Sequence, residues 1–285
     1  RGPRLPTAPP NLHARMQALA LSALCHPIDW HPDQLGADPH AAIAALADAG
    51  WLAVPSAFCW RIPRCGADAG AAAGRRVLPG ESLPLVRAVF DRVDADMPRF
   101  DGRPLFVVFD VDRLADPAAS VALWRADCRA RGIGDIAVIA AHLRWRGDAR
   151  RIGCDAALAW PPYGLLRDEG AAAGAPPQWL PHYRRLAAHR LKQPDTPWPV
   201  LEAVPVGLAA IDLDGLDSAQ PMPGASPEAL AAWIGFAAPR MAARLPPAQR
   251  CLFLQGAYPL LAGGDAGAIA HPIAGDALPI DQFCR

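Results

Sequence analysis

Charge is scarce in this chain. Its 285 residues include 28 Lys+Arg and 28 Asp+Glu, only 20% of the total, and they sum to zero. A neutral chain has no field to concentrate polyanions, so nucleic acid and acidic membrane surfaces are excluded as general partners. Lysine is almost absent: Lys192 is the only one, and arginine supplies the other basic residues, a bias that reads as a high-GC genome. Long apolar runs are missing too. Pro, Arg or Asp interrupts every stretch before the roughly 18 residues that a membrane helix needs. None of the seven cysteines (25, 59, 65, 128, 154, 251, 284) forms a CxxC pair, which suits a reducing, cytoplasmic setting with most of them as small core residues. The chain opens at Arg1 without a basic-then-apolar leader pattern, in a Pro-rich run that reads as a linker cut from a longer polypeptide.

Motifs of several enzyme classes are also lacking. There is no P-loop, GxSxG elbow or HExxH, and Ser56 and Ser226 have no evident His and acid partners. His26, Asp29, His31 and Asp33 cluster in sequence, but their spacing matches no standard metal site, and Pro27 and Pro32 read as turn residues. Asp212, Asp214 and Asp217 lack the downstream glutamate of an EF-hand and read as a solvated turn. No metal or cofactor is expected.

What is present is alternation. Apolar runs at Leu19–Cys25, Trp51–Phe58, Leu105–Phe109, Ile136–Ala140, Asp155–Trp160, Val200–Val204 and Cys251–Gln255 predict seven strands. Helical segments separate them: 39–49 behind Asp38, 82–94, 117–131 between Asp116 and Gly132, 179–191, and 227–244 behind Ser226. Apolar strands alternating with helices predict a parallel sheet. Seven strands and one unplaced fit a (β/α)8 TIM-like barrel, incomplete or irregular, over residues 18–262, after a linker at 1–17 and before an irregular tail at 263–285. A doubly wound sheet would place a Gly-rich phosphate turn after the first strand, and this one is followed by His26-Pro27-Ile28-Asp29-Trp30.

Barrel chemistry sits at the C-terminal strand ends. Those ends carry His26, Asp29, Trp30 and His31; Trp60 and Arg61; Asp110 and Asp112; His142, Arg144 and Trp145; Trp160 and Tyr163; Gln255 and Tyr258, while Glu202 lies within its strand. Aromatic and polar groups along one rim suit a carbohydrate cleft, where rings stack on sugar faces; equally, the rings could merely cap the barrel top. Asp110, at the end of a buried run, is placed for chemistry or for a cap.

Five segments in order carry a family resemblance. Met97–Val108 (MPRFDGRPLFVV) resembles the "pRY…dGkPlflvY" strand of the WbsX-type glycosyltransferases of O-antigen and polysaccharide clusters, relatives of glycoside hydrolase family 99. Trp124–Ile133 is similar to that family's "WRe.ar..Gi" helix, and Gly153–Gly164 to its "gFDa…efpPhg". Ala20–Ile28 resembles its opening strand, and Gly224–Trp233 its "gstPe.fe.W". The resemblance implies a (β/α)8 barrel over about residues 20–262 and a carbohydrate substrate.

The departures concern chemistry. Where the family's last strand ends in "NaWNEWaEG", this chain has Phe253–Gly263, with Pro259 and Ala262 at the two glutamate positions. Neither can move a proton. The "WDNtaR" and "GFTEW" segments are also replaced, and His26 is the one residue of the polar rim that clearly matches. Two readings follow. In an active sugar enzyme the acid/base work falls to Asp110, Glu202 or Asp29, with His26, Trp60, His142, Trp160, Tyr163, Gln255 and Tyr258 as sugar contacts. In an inactive barrel the domain binds glycan or docks an adjacent glycosyltransferase domain.

Overall fold

The computed structural model describes residues 7–18, 21–33, 38–62, 75–93, 96–109, 111–142, 147–161, 183–193, 195–205, 208–210, 219–221 and 224–255. The chain divides into two compact units, residues 1–141 with 147–157, and residues 142–146 with 158–285. Unit 1 runs α1 (Leu12–Ala18), β1 (Leu24–Asp29), α2 (Pro39–Asp48), β2 (Ser56–Arg61), α3 (Leu83–Phe90), β3 (Arg99–Phe100), β4 (Arg103–Phe109), α4 (Pro117–Ala130) and all but the last residue of β5 (Ala137–His142), and β6 (Ala156–Ala159) straddles the boundary. Unit 2 holds α5 (Tyr183–Lys192), β7 (Val200–Pro205), β8 (Leu208–Ala210), β9 (Ala219–Pro221), α6 (Pro227–Arg244) and β10 (Leu252–Gln255).

Strand neighbours follow chain order, β1-β2-β4-β5-β6-β7-β10, with β3 beside β4 and β8 paired to β9 apart from the main path. The registers described along the path, β1/β2, β2/β4, β4/β5 and β7/β10, are all parallel. A doubly wound sheet reverses its strand order at a switch point; this one does not. The described residues therefore supply seven strands of an incomplete (β/α)8-type barrel, as the alternation predicts.

Helix starts follow the sequence signals. Asp38, Asp116 and Ser226 each cap a helix by accepting from a backbone N–H, of His40 (2.9 Å), Ala119 (2.9 Å) and Ala229 (3.1 Å) respectively, with Pro opening the first turn. The first two strands lie later than expected. Leu19–Cys25 gives way to Leu24–Asp29, because β1 hydrogen-bonds to β2 alone on the described path and so tolerates Pro27, which has no N–H to offer. Trp51–Ala53 is a short 3-10 turn entered through Gly50 at φ 82°, and β2 starts only after Pro55. At the front, α1 packs down: Leu12 and Met16 are buried, and Ala8 N–H donates to Ala49 C=O at 2.7 Å.

Register decides which face each side chain uses. Phe106 on β4 packs edge-on against Phe90 of α3 and Trp124 of α4, both at 5.9 Å, and Trp60 of β2 meets Trp124 at 6.1 Å. The side of unit 1's sheet that carries Phe106 is thus the helix side. In register with it come His26, Phe58 and Val138, then Ile28, Trp60, Val108 and Ala140. The opposite face carries Cys25, Pro27 and Asp29; Ala57, Cys59 and Arg61; Leu105, Val107 and Phe109; and Ala137, Ile139 and Ala141. At the opposite strand ends, Asp155 ties the layers together. It accepts from Val138 N–H at 2.8 Å and Arg125 Nη2 at 2.7 Å, and pairs with Arg103 Nη2 at 2.8 Å. Gly153, at φ 78°, turns the chain into that position.

Unit 2 has its own core, in which Tyr183, Leu186, Ala187, Val204, Trp233 and Ala237 cluster and Leu252 and Leu254 pack against them. Tyr183 meets Trp233 at 5.2 Å and donates its hydroxyl to Pro205 C=O at 2.7 Å. Among the described residues no helix is long and apolar enough to cross a membrane.

Trp124 is fully buried, contacts Trp60 and Phe106, and donates Nε1–H to Ser82 Oγ at 2.7 Å. Trp124→Ala should lower stability by about 3–5 kcal/mol in urea unfolding, as large-to-small core changes do. Trp124→Phe, which keeps a ring in the contact, should cost markedly less.

Candidate functional site

The C-terminal ends of β1 and β2 bring one pair of charges together. Asp29 and Arg61 are register partners, on the face away from the helices, and Arg61 Nη2 donates to Asp29 Oδ2. Asp29 is 49% exposed, whereas Arg61 is 12% exposed and its buried Nε–H has no acceptor among the described residues. The backbone beyond Asp29 is held in place: Trp60 Nε1–H donates to Trp30 C=O at 2.9 Å. Further along, Asp33 N–H donates to His31 Nδ1 at 3.1 Å. Arg75 bridges two carboxylates, with Nε on Asp33 at 3.1 Å and Nη1 on Glu81 at 2.9 and 2.8 Å. The hydrogen bonds from Arg75 hold both carboxyls below the usual carboxylate range.

His26 lies elsewhere. It is fully buried on the helix side, against the Phe58 ring at 5.8 Å. Ser56 gives its only hydroxyl proton to Val54 C=O at 2.8 Å, so the 2.9 Å contact with His26 Nε2 must be a bond that His26 donates. Burial pushes its imidazole down from 6.5 to about 4. His26 and Asp29 alternate across β1, so the sequence cluster that runs on to His31 and Asp33 does not converge on one point. Trp60, expected as a sugar platform, is also fully buried on the helix side, packed on Trp124. It is a core residue in this geometry, because parity along β2 turns Arg61, not Trp60, to the other face.

Glu202 takes the same side in unit 2. It alternates with Leu201 and Ala203 and shares its face with Val204, which packs among the helices. Arg190 of α5 closes on it with two bonds, Nη2 to Oε1 at 2.6 Å and Nε to Oε2 at 2.9 Å. Burial pushes the Glu202 carboxyl up and the Arg190 guanidinium down, against their mutual attraction. Two more arginines brace the region: Arg240 donates to Asp195 and to Gln193 C=O, and Arg244 to Thr196 C=O. Glu202 is thus enclosed in a structural ion pair.

Of the other candidates, His142 ends β5, Gln255 ends β10 opposite Pro205, and Trp160 is half-buried just past β6. Asp110, Tyr163 and Tyr258 lie outside the described residues, as do Pro259 and Ala262. Cys59, Cys128 and Cys154 are free and buried, with burial pushing the Cys128 and Cys154 thiols up to about 11 and about 12. The Cys128 and Cys154 thiols are not poised as nucleophiles. The residue that the expected set of contacts omits is Arg61. Strict alternation along a correctly placed β2 would have singled it out.

Comparison with known proteins finds similarity over part of the chain. Residues 88–179 match the family model described as Glycosyltransferase WbsX. Three of the five motif segments, at 97–108, 124–133 and 153–164, fall inside that stretch. The "Uncharacterized protein WxcX" of Xanthomonas campestris pv. campestris, from strain B100 and from strain ATCC 33913, is 41% identical over 64 residues. That alignment covers 22% of this chain and 9% of those relatives. A solved structure, the GH99 endo-alpha-mannosidase from Bacteroides thetaiotaomicron, is 13% identical with a TM-score of 0.38, covering 70% of this chain and 53% of that one.

Two outcomes check these placements. Glu202→Ala strands a buried guanidinium and should cost about 3–5 kcal/mol in chemical denaturation, whereas the double change Arg190→Met with Glu202→Leu should recover most of it. For His26, the unfolded chain takes up a proton near 6.5 and the folded chain only near 4. Stability should therefore fall as pH drops through that window, by up to roughly 3 kcal/mol at its lower end. His26→Gln should flatten this part of the stability–pH profile.

Proposed function

We propose that this chain is a carbohydrate-active domain of the WbsX and glycoside hydrolase family 99 kind, working in bacterial surface-polysaccharide assembly. The observation that carries the reading is the match of residues 88–179 to the Glycosyltransferase WbsX model. The parallel strands in chain order supply the matching scaffold. Its ligand is a glycan, and an adjacent glycosyltransferase domain is a natural neighbour in a longer polypeptide.

Within this reading the carboxylate best placed for work on a glycan is Asp29. It stands at a C-terminal strand end, half exposed, on the face away from the helices. Glu202 is enclosed by Arg190, and Asp110 remains a candidate by sequence position alone. A second reading, a barrel that binds glycan without turning it over, is favoured by Pro259 and Ala262 at the family's glutamate positions.

The test is a glycan array probed with the 285-residue chain, followed by assays for released reducing sugar and for transfer from nucleotide sugars. Retained glycan supports the domain assignment, and its absence across neutral and acidic glycans sinks it. Turnover that Asp29→Asn abolishes supports the enzyme; binding with no turnover supports the binding barrel.

A further inference from the structure

The geometry points to the Asp29–Arg61 pair as a clamp for adjacent hydroxyls of a neutral sugar, with Arg61 the residue that sets this preference. The inference rests on the glycan reading above and holds whether or not the glycan is turned over.

The first support is position. Both side chains belong to the last register layer of β1 and β2, on the face opposite α3 and α4, where a (β/α)8-type sheet presents its ligand groups. The second is unspent hydrogen-bonding capacity. An ionised aspartate offers about four lone-pair sites, and the described residues fill one of them, from Arg61 Nη2. Arg61 Nε–H has no acceptor among the described residues, but it is buried, so a ligand meets Arg61 through the exposed part of the side chain beside Asp29.

Third, the pair is held ready. Arg61 is mostly buried and followed by buried Ile62, and Trp60 pins the chain just past Asp29. Little ordering is left for the ligand to bring about.

Charge then selects the ligand class. An anionic sugar would gain from Arg61 but meet Asp29, and a cation would face the reverse. A vicinal diol meets both demands, since one hydroxyl donates to Asp29 and its neighbour accepts from Arg61. The zero net charge of the chain adds no long-range preference for an acidic glycan.

The experiment divides the glycan array into neutral and uronate- or phosphate-bearing members, and measures the best neutral oligosaccharide by calorimetry. A sample of that oligosaccharide cleaved at its vicinal diols with periodate and then reduced serves as control. The wild-type chain should prefer neutral members and lose at least tenfold in affinity for the cleaved sugar. Arg61→Met and Asp29→Asn should each weaken binding at least tenfold, and the double variant should be little worse than either. Arg61→Lys keeps the charge but not the planar edge, so it should recover little. Thermal melts establish that each variant is folded, and Asp29→Asn, at an exposed position, carries the test if Arg61→Met does not fold. Preference for acidic glycans, or neutral binding unchanged in folded variants, overturns the clamp and leaves the glycan reading standing. No glycan binding by the wild-type chain overturns the glycan reading itself.

Discussion

Parallel pairing of β1, β2, β4 and β5 in one register is the constraint on which the rest of unit 1 depends. Side chains alternate strictly across a strand, so once Phe106 is seated against Phe90 and Trp124, the face of every registered neighbour is settled. His26, Phe58 and Trp60 go to the helices, and Asp29 and Arg61 go the other way. A slip of one residue in β2 would turn Arg61 toward α4 and Trp60 away from it, losing the ring packing and burying a charge. The same rule in unit 2 sends Glu202 and Val204 toward α5 and α6.

The WbsX-like stretch is rich in residues that enforce this register. Trp124 fills the layer between sheet and helix, Arg125 and Arg103 meet on Asp155, and Asp155 itself caps the Val138 N–H at the start of β5. Gly132 and Gly153 both take positive φ, where a side chain would strain the turn. These are demands of architecture, and a chain can meet them without keeping any acid or base. Similarity over 88–179 thus bears on scaffold residues and says nothing of acid or base groups.

Polar groups in this protein divide into two kinds. Arg190–Glu202 is a buried pair on the helix side of unit 2, and the His26–Ser56 contact is part-buried, with His26 on the helix side of unit 1. Buried ion pairs of this kind balance large desolvation against attraction, and their value shows mainly when one partner is removed. Asp29–Arg61 is open: one partner is anchored in the interior and the other reaches solvent. Only an open pair can exchange a protein contact for a ligand contact.

Much of the architecture was legible in the chain itself. Apolar runs and capping residues marked the strands and helices to within a few positions, because periodicity and caps are local properties. The motif segments around Met97, Trp124 and Gly153 fall in the stretch that matches the WbsX model. The site was far less legible. His26 and Trp60 looked like rim residues because the expected first two strands ended at Cys25 and Phe58, and a few residues of boundary error exchange rim for core. Glu202 looked catalytic because nothing local announces Arg190, which reaches it from another element. Composition and pattern by themselves determined a neutral chain built from alternating parallel strands and helices. Only the tertiary structure decided which face each polar group uses, because facing depends on register between strands distant in sequence, and no local run of residues encodes that pairing.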